Sequence, residues 1–162
     1  MGADLYIEKI SERNRRKWQP VFAKAVEKRD ALPKDSPEQV AAQVVVDAAY
    51  EKMMADDGYF RDPYNMNSVA WRIGLSWWQD VDPKLDKRGN LSVTETRKLL
   101  KRVKASTVVG LTKEELLEKH AMVDEGENSP EAWLKGWQEG RLKLIAFLEH
   151  AIKIRQPIAC SL

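Results

Sequence analysis

The chain has 162 residues, 43% of them hydrophobic and 32% charged, with a formal net charge of +2. That composition is globular and fits one domain; it excludes a disordered or low-complexity chain, and a near-neutral total argues against nucleic acid or an anionic membrane as partner. One cysteine, Cys160, excludes an internal disulfide and fits a reducing, cytoplasmic setting, and no apolar run reaches the roughly 18 residues a transmembrane helix needs.

From the N-terminus, Leu5, Ile7 and Ile10 with Tyr6 fit either a short strand or a first helical turn. Residues 11–18 are strongly basic and helical in pattern, and Pro20 is expected to start or kink a helix because it lacks a backbone N–H. Ser36-Pro37-Glu38-Gln39 is the clearest start signal: a capping serine, a proline at the first helical position and a glutamine three residues after the cap. The helix it opens should reach Met54 or Asp56 and stop at Gly58.

Residues 67–81 carry Val69, Trp71, Ile73, Leu75, Trp77 and Trp78. At helical spacing they cover nearly every side, so the expectation is one buried central helix with Trp71, Trp77 and Trp78 all in the core. Ser92-Val93-Thr94-Glu95 is a second capping box, opening a basic helix with Leu99, Leu100 and Val103 on its apolar face. Thr112 to Glu115 caps a shorter helix. Ser129-Pro130-Glu131 opens a long one, with Gly136 and Gly140 four apart, where close packing is expected. Pro157 ends it, and the tail 158–162 could pair with residues 4–7 as a two-stranded ribbon. The expected fold is mainly α: a compact bundle of about five to six helices around the Trp-rich segment, in a single domain over 1–162.

Chemistry is sparse. His120 and His150 are far apart in sequence, no metal or phosphate-loop motif is present, and no nucleophile–base set is evident, so no catalytic residue is assigned. Tyr59, Phe60, Arg61 and Tyr64 form an aromatic loop of residue types common in binding hot spots, and are assigned as partner-binding residues or a core plug. With Gly89 at the sixth position, residues 84–95 resemble a degenerate EF-hand loop. The resemblance implies calcium ligation, and a re-registered ligand set would be Asp80, Asp82, Asp86, Asn90 and Glu95. Lys84 and Arg88 stand where oxygen ligands belong, and Ser92 and Glu95 are already explained by the capping box. The opening Gly2-Ala3-Asp4-Leu5-Tyr6-Ile7, the run 58–65 and Leu75-Ser76-Trp77-Trp78 resemble small uncharacterised bacterial proteins, which implies no activity. The reading is thus a non-enzymatic module that binds another protein, without a cofactor. The alternatives are a calcium-binding protein and a helical domain that binds nucleic acid through the basic runs 13–17 and 97–104.

Overall fold

A computed structural model describes residues 2–55, 57–119 and 121–162. The elements in chain order are β1 (Gly2–Tyr6), α1 (Glu8–Asp30), α2 (Pro37–Met53), β2 (Tyr59–Pro63), α3 (Val69–Arg72), a π-helical turn (Trp77–Val81), a 3-10 turn (Asp82–Lys84), β3 (Asn90–Leu91), α4 (Val93–Ala105), α5 (Lys113–Glu118), α6 (Pro130–Lys153) and β4 (Ile158–Ser161). The chain divides into two compact units: Met1–Leu5 with Phe60–Leu162, and Tyr6–Tyr59. No helix among the described residues is long and apolar enough to cross a membrane.

The mainly α expectation holds, and the capping signals start the helices where they should. Ser36, Ser92, Thr112 and Ser129 each accept a backbone N–H from three residues on. The tail is also extended, but as part of a four-stranded sheet in the order β2-β1-β4-β3 rather than a ribbon of two. β3 pairs antiparallel with β4, Asn90 opposite Ala159 and Leu91 opposite Ile158. None of the four strands is longer than five residues, and β3 has two, so period-2 alternation has little length in which to show.

In the smaller unit α1 and α2 form a helical hairpin. α1 runs unbroken through Pro20. Proline has no N–H to offer the carbonyl of Arg16, and both residues are exposed, where the lost bond is least costly.

The larger unit is ordered around Asp62, which is fully buried. Its carboxylate accepts from the Ser68 hydroxyl (2.8 Å), the Val69 N–H (2.6 Å), the Ala70 N–H (3.2 Å) and the Trp77 indole N–H (2.7 Å). Asp62 thereby ties β2 to the first turn of α3 and to the π-helical turn. The Ser68 Oγ also accepts from the Trp71 N–H, capping α3.

The expected single central helix is not formed. α3 stops at Arg72 and the chain reverses through Gly74, whose φ of +65° is open to glycine but strained for other residues. A new start follows at Ser76, whose Oγ accepts from the Gln79 N–H while the Asp80 carboxylate accepts from the Ser76 N–H. The acid sits four residues after the cap rather than three, matching the wider π winding. The break changes which tryptophans are inside. Trp77 is 1% exposed, whereas Trp71 and Trp78 are 50% and 54% exposed.

The core of this unit also includes Val103 of α4, Leu116 of α5, Leu144, Phe147 and Leu148 of α6, and Leu5, Leu91 and Ile158 of the sheet, all buried. Gly140 answers the close-packing expectation: a Cβ there would lie 2.5 Å from Val69 Cγ2. Gly136 does not, since a Cβ at that position would meet nothing within 4 Å.

The tryptophans should therefore separate in solution. Trp77→Ala should cost about 3–5 kcal/mol in urea unfolding, and Trp71→Ala or Trp78→Ala about 1 kcal/mol or less, as at surface positions. Iodide should quench most of the native emission that Trp71→Phe and Trp78→Phe remove. Equal costs at the three positions would restore the single buried helix.

Candidate functional site

The aromatic residues Tyr59, Phe60, Arg61 and Tyr64 do not form an exposed loop. Residues 59–63 are β2, and strand alternation turns Phe60 and Asp62 inward and Arg61 outward. Phe60 is buried with its ring 6.1 Å from that of Phe147. Tyr59 belongs to the smaller unit, where its ring lies 5.0 Å from that of Tyr6. Arg61 Nε lies 3.8 Å from Asp4 Oδ1. Tyr64 is half-buried near Trp78, its hydroxyl shut from solvent without a hydrogen-bond partner. Burial, then the nearby carboxylates of Asp62, Asp4 and Asp82, push the Tyr64 phenol above its usual range. Of the four residues Phe60 is buried, Tyr59 and Tyr64 are half-buried and Arg61 is exposed, as strand alternation requires.

The calcium set is not brought together either. Asp80 pairs with Arg102 at 2.5 Å, Glu95 pairs with Lys98, and Asp86 Oδ1 accepts the backbone N–H groups of Arg88 (2.8 Å) and Asn90 (2.9 Å). Asp82 opens the 3-10 turn, and Asn90 is committed to β3. Among the described residues no group of three or more His, Cys, Asp or Glu is placed to hold a metal ion. The loop keeps the EF-hand's glycine turn, Gly89 having φ +77°, while internal N–H donors occupy Asp86. Those donors, Asn90 first, hold the Asp86 carboxyl below the usual range.

Several cations of the basic runs are paired. On α4, Lys98, Arg102 and Lys104 pair with Glu95, Asp80 and Glu149, and Arg102 also donates to the Gly74 carbonyl. On α1, Arg13 pairs with Asp57, and the ammonium groups of Lys17 and Lys52 lie 5.1 and 4.5 Å from the Trp18 ring centre. His120 lies outside the described residues. Cys160, on β4, is largely shielded, and burial raises its thiol to about 12, which suits an inert cysteine.

A different place in the larger unit has the shape of a site. Asn67, Glu127, Asn128, Ala132, Trp133, Gly136 and Trp137 line an open cleft of about 330 Å³. One wall is the first turns of α6, where Trp133 and Trp137, four residues apart, bring their rings to 5.7 Å. A second is the 124–128 loop, fixed by Asp124, which accepts from the Asn128 side chain and from the backbone N–H groups of Asn128 and Gly126. The Asn128 amide and these N–H groups hold the Asp124 carboxyl low. The third is the turn before α3, where the Met66 carbonyl accepts from the Trp137 indole at 2.9 Å. The Arg72 guanidinium lies 5.2 Å from the Trp137 ring centre. Two buried donors, Trp133 Nε1 in the cleft lining and Arg72 Nε beside the Trp137 ring, have no acceptor among the described residues. Each such group costs roughly 1–3 kcal/mol when left unpaired.

The helical pattern of 130–153 puts Trp133 and Trp137 on an apolar face and does not mark them as a site. The usable signal is Gly136 between them, a glycine that costs helix stability without gaining close packing. Compared with known proteins, the chain matches no family model, no curated protein and no solved structure.

The Asp80–Arg102 pair gives a pH test of how the unit is held. Hydrogen bonding from Arg102, then from the Ser76 N–H, holds the Asp80 carboxyl below the usual carboxylate range. A lowered folded value stabilises above the unfolded pKa, and that stability is lost as pH falls through the folded one. Asp80→Asn should therefore cost up to about 1 kcal/mol at pH 7, and the gap from wild type should close as the pH falls through the lowered folded value. A gap that stays constant from about pH 7 to about pH 2 would show that the charge plays no part.

Proposed function

We propose that the protein is a non-enzymatic interaction module and that the Trp133–Trp137 cleft is where its partner protein docks. The observation that carries this is the Trp133 indole, which lines an open cleft while its N–H is buried without an acceptor. A small shift of the ring toward the cleft gives that N–H a carbonyl oxygen supplied by an extended segment of the partner. Two adjacent indoles supply rigid apolar area, and Asn67 and Asn128 supply amides at the rim. Glu127 is the one titratable group in the described lining, so the cleft has a carboxylate for a basic or N–H-bearing group but no nucleophile beside it.

Gly136 offers the test. Its Cβ position is empty, so Gly136→Leu adds a side chain at the cleft lining whose Cβ meets nothing within 4 Å and removes a helix-destabilising glycine. The variant should keep its helical content and melt no lower than wild type. Tagged wild type should recover a stoichiometric partner protein that Gly136→Leu fails to recover. A partner retained equally by both would move the docking site elsewhere. Recovery of no partner, with a small metabolite that raises the melting temperature of wild type, would replace protein docking with ligand binding.

A further inference from the structure

The smaller unit leaves one face of α2 uncovered. Val40, Val44 and Val45 are 63%, 65% and 57% exposed, and Ala41 and Ala48 beside them are exposed as well. At 100° per residue these five lie within one face, opposite the buried Val46 and Ala49. Three turns of the helix thus present an apolar strip to solvent with no charge inside it. Exposed valines are ordinary one at a time, but a contiguous strip marks a surface that is covered.

The charges bordering the strip say what covers it. Glu38 stands near its N-terminal end, and Lys52 on the same border beyond its C-terminal end. Neither is in an ion pair among the described residues, the Lys52 ammonium resting instead on the Trp18 ring. We propose that α2 pairs with α2 of a second copy of this chain, antiparallel, about a twofold axis between Val44 and Val45. Antiparallel pairing sets Ala41 opposite Ala48 of the second copy, letting the backbones approach, and brings Val44 against Val45 of the second copy. It also places Lys52 within one turn of Glu38 of the second copy, and the twofold repeats that contact. Parallel pairing would set Glu38 against Glu38 and Lys52 against Lys52. A twofold contact is self-complementary and closes, so it yields a dimer and not a filament. This surface is separate from the Trp133–Trp137 cleft and does not depend on it.

Light scattering across a concentration series tests the pairing on the whole chain. Wild type should reach twice the 18.6 kDa chain mass, and Val44→Asp, a change at an exposed position, should return it to 18.6 kDa with unchanged circular dichroism. Glu38→Lys alone and Lys52→Glu alone should each weaken the dimer by about tenfold, two surface ion pairs being lost in each case. The double variant, carrying both changes, should recover the wild-type dissociation constant to within about threefold, because the exchanged charges face one another again across the twofold. A wild type that stays at 18.6 kDa at every concentration of the series overturns the proposal, as does a dimer indifferent to Val44→Asp. A dimer that Val44→Asp dissociates but the double charge reversal does not restore overturns the antiparallel register. A monomeric chain whose α2 strip is instead covered by a different protein overturns the second copy as occupant.

Discussion

A buried carboxylate, in no ion pair among the described residues, holds the larger unit together. Asp62 accepts four hydrogen bonds, two from backbone N–H groups, one from a hydroxyl and one from an indole. All four partners are donors, and the two carboxylate oxygens accept from every one of them. Burying a charge costs several kcal/mol, and hydrogen bonds to the charged form offset it at roughly 1.5–3 kcal/mol each. The geometry that satisfies Asp62 sets the path of the chain after it. α3 must begin beside β2, and Trp77 must return to the same carboxylate eight residues after Val69. A continuous helix from Val69 to Trp77 would carry the indole about 12 Å up the axis. The reversal at Gly74 brings it back.

That constraint explains where the sequence is readable. The helices announced by capping residues begin on the expected serines and threonine, because a cap is a local bond that needs no tertiary partner. The segment 67–81 misleads because its apolar pattern fits a helix while its path is decided by a residue five positions before it starts. Asp62 in Arg61-Asp62-Pro63 looks like a turn residue, and nothing local marks it as a buried acceptor. The sheet is half legible: the two chain ends read as extended, but the two-residue β3 has no pattern of its own. In the EF-hand-like stretch 84–95 the spacing corresponds to a glycine turn at Gly89 and a helix cap at Ser92. The donors that close the loop come from its own backbone, which spacing alone does not reveal.

The two glycines of α6 show how one sequence feature can serve two ends. Gly140 lets Val69 approach the helix, joining α6 to the Asp62 cluster, whereas Gly136, one turn earlier, holds space open beside two indoles. Close packing and the cleft thus lie on successive turns of the same helix, and the Trp137 bond to the Met66 carbonyl ties two walls of the cleft together. The smaller unit differs in kind. Its hairpin buries few residues fully, and its α2 carries three exposed valines, Val40, Val44 and Val45.

The most direct measurement is the unfolding free energy of Asp62→Asn, read in urea at pH 7 with Trp77 emission as the probe. Asparagine keeps the size of the side chain but turns an N–H donor toward groups that are themselves donors. The expected loss is about 1–3 kcal/mol or more, since at least the Val69 N–H is left unpaired whichever way the amide turns, together with a shift in Trp77 emission as the charge beside its indole is lost. A loss below about 1 kcal/mol, with Trp77 emission unchanged, would mean that the segment 59–81 finds its path without the carboxylate.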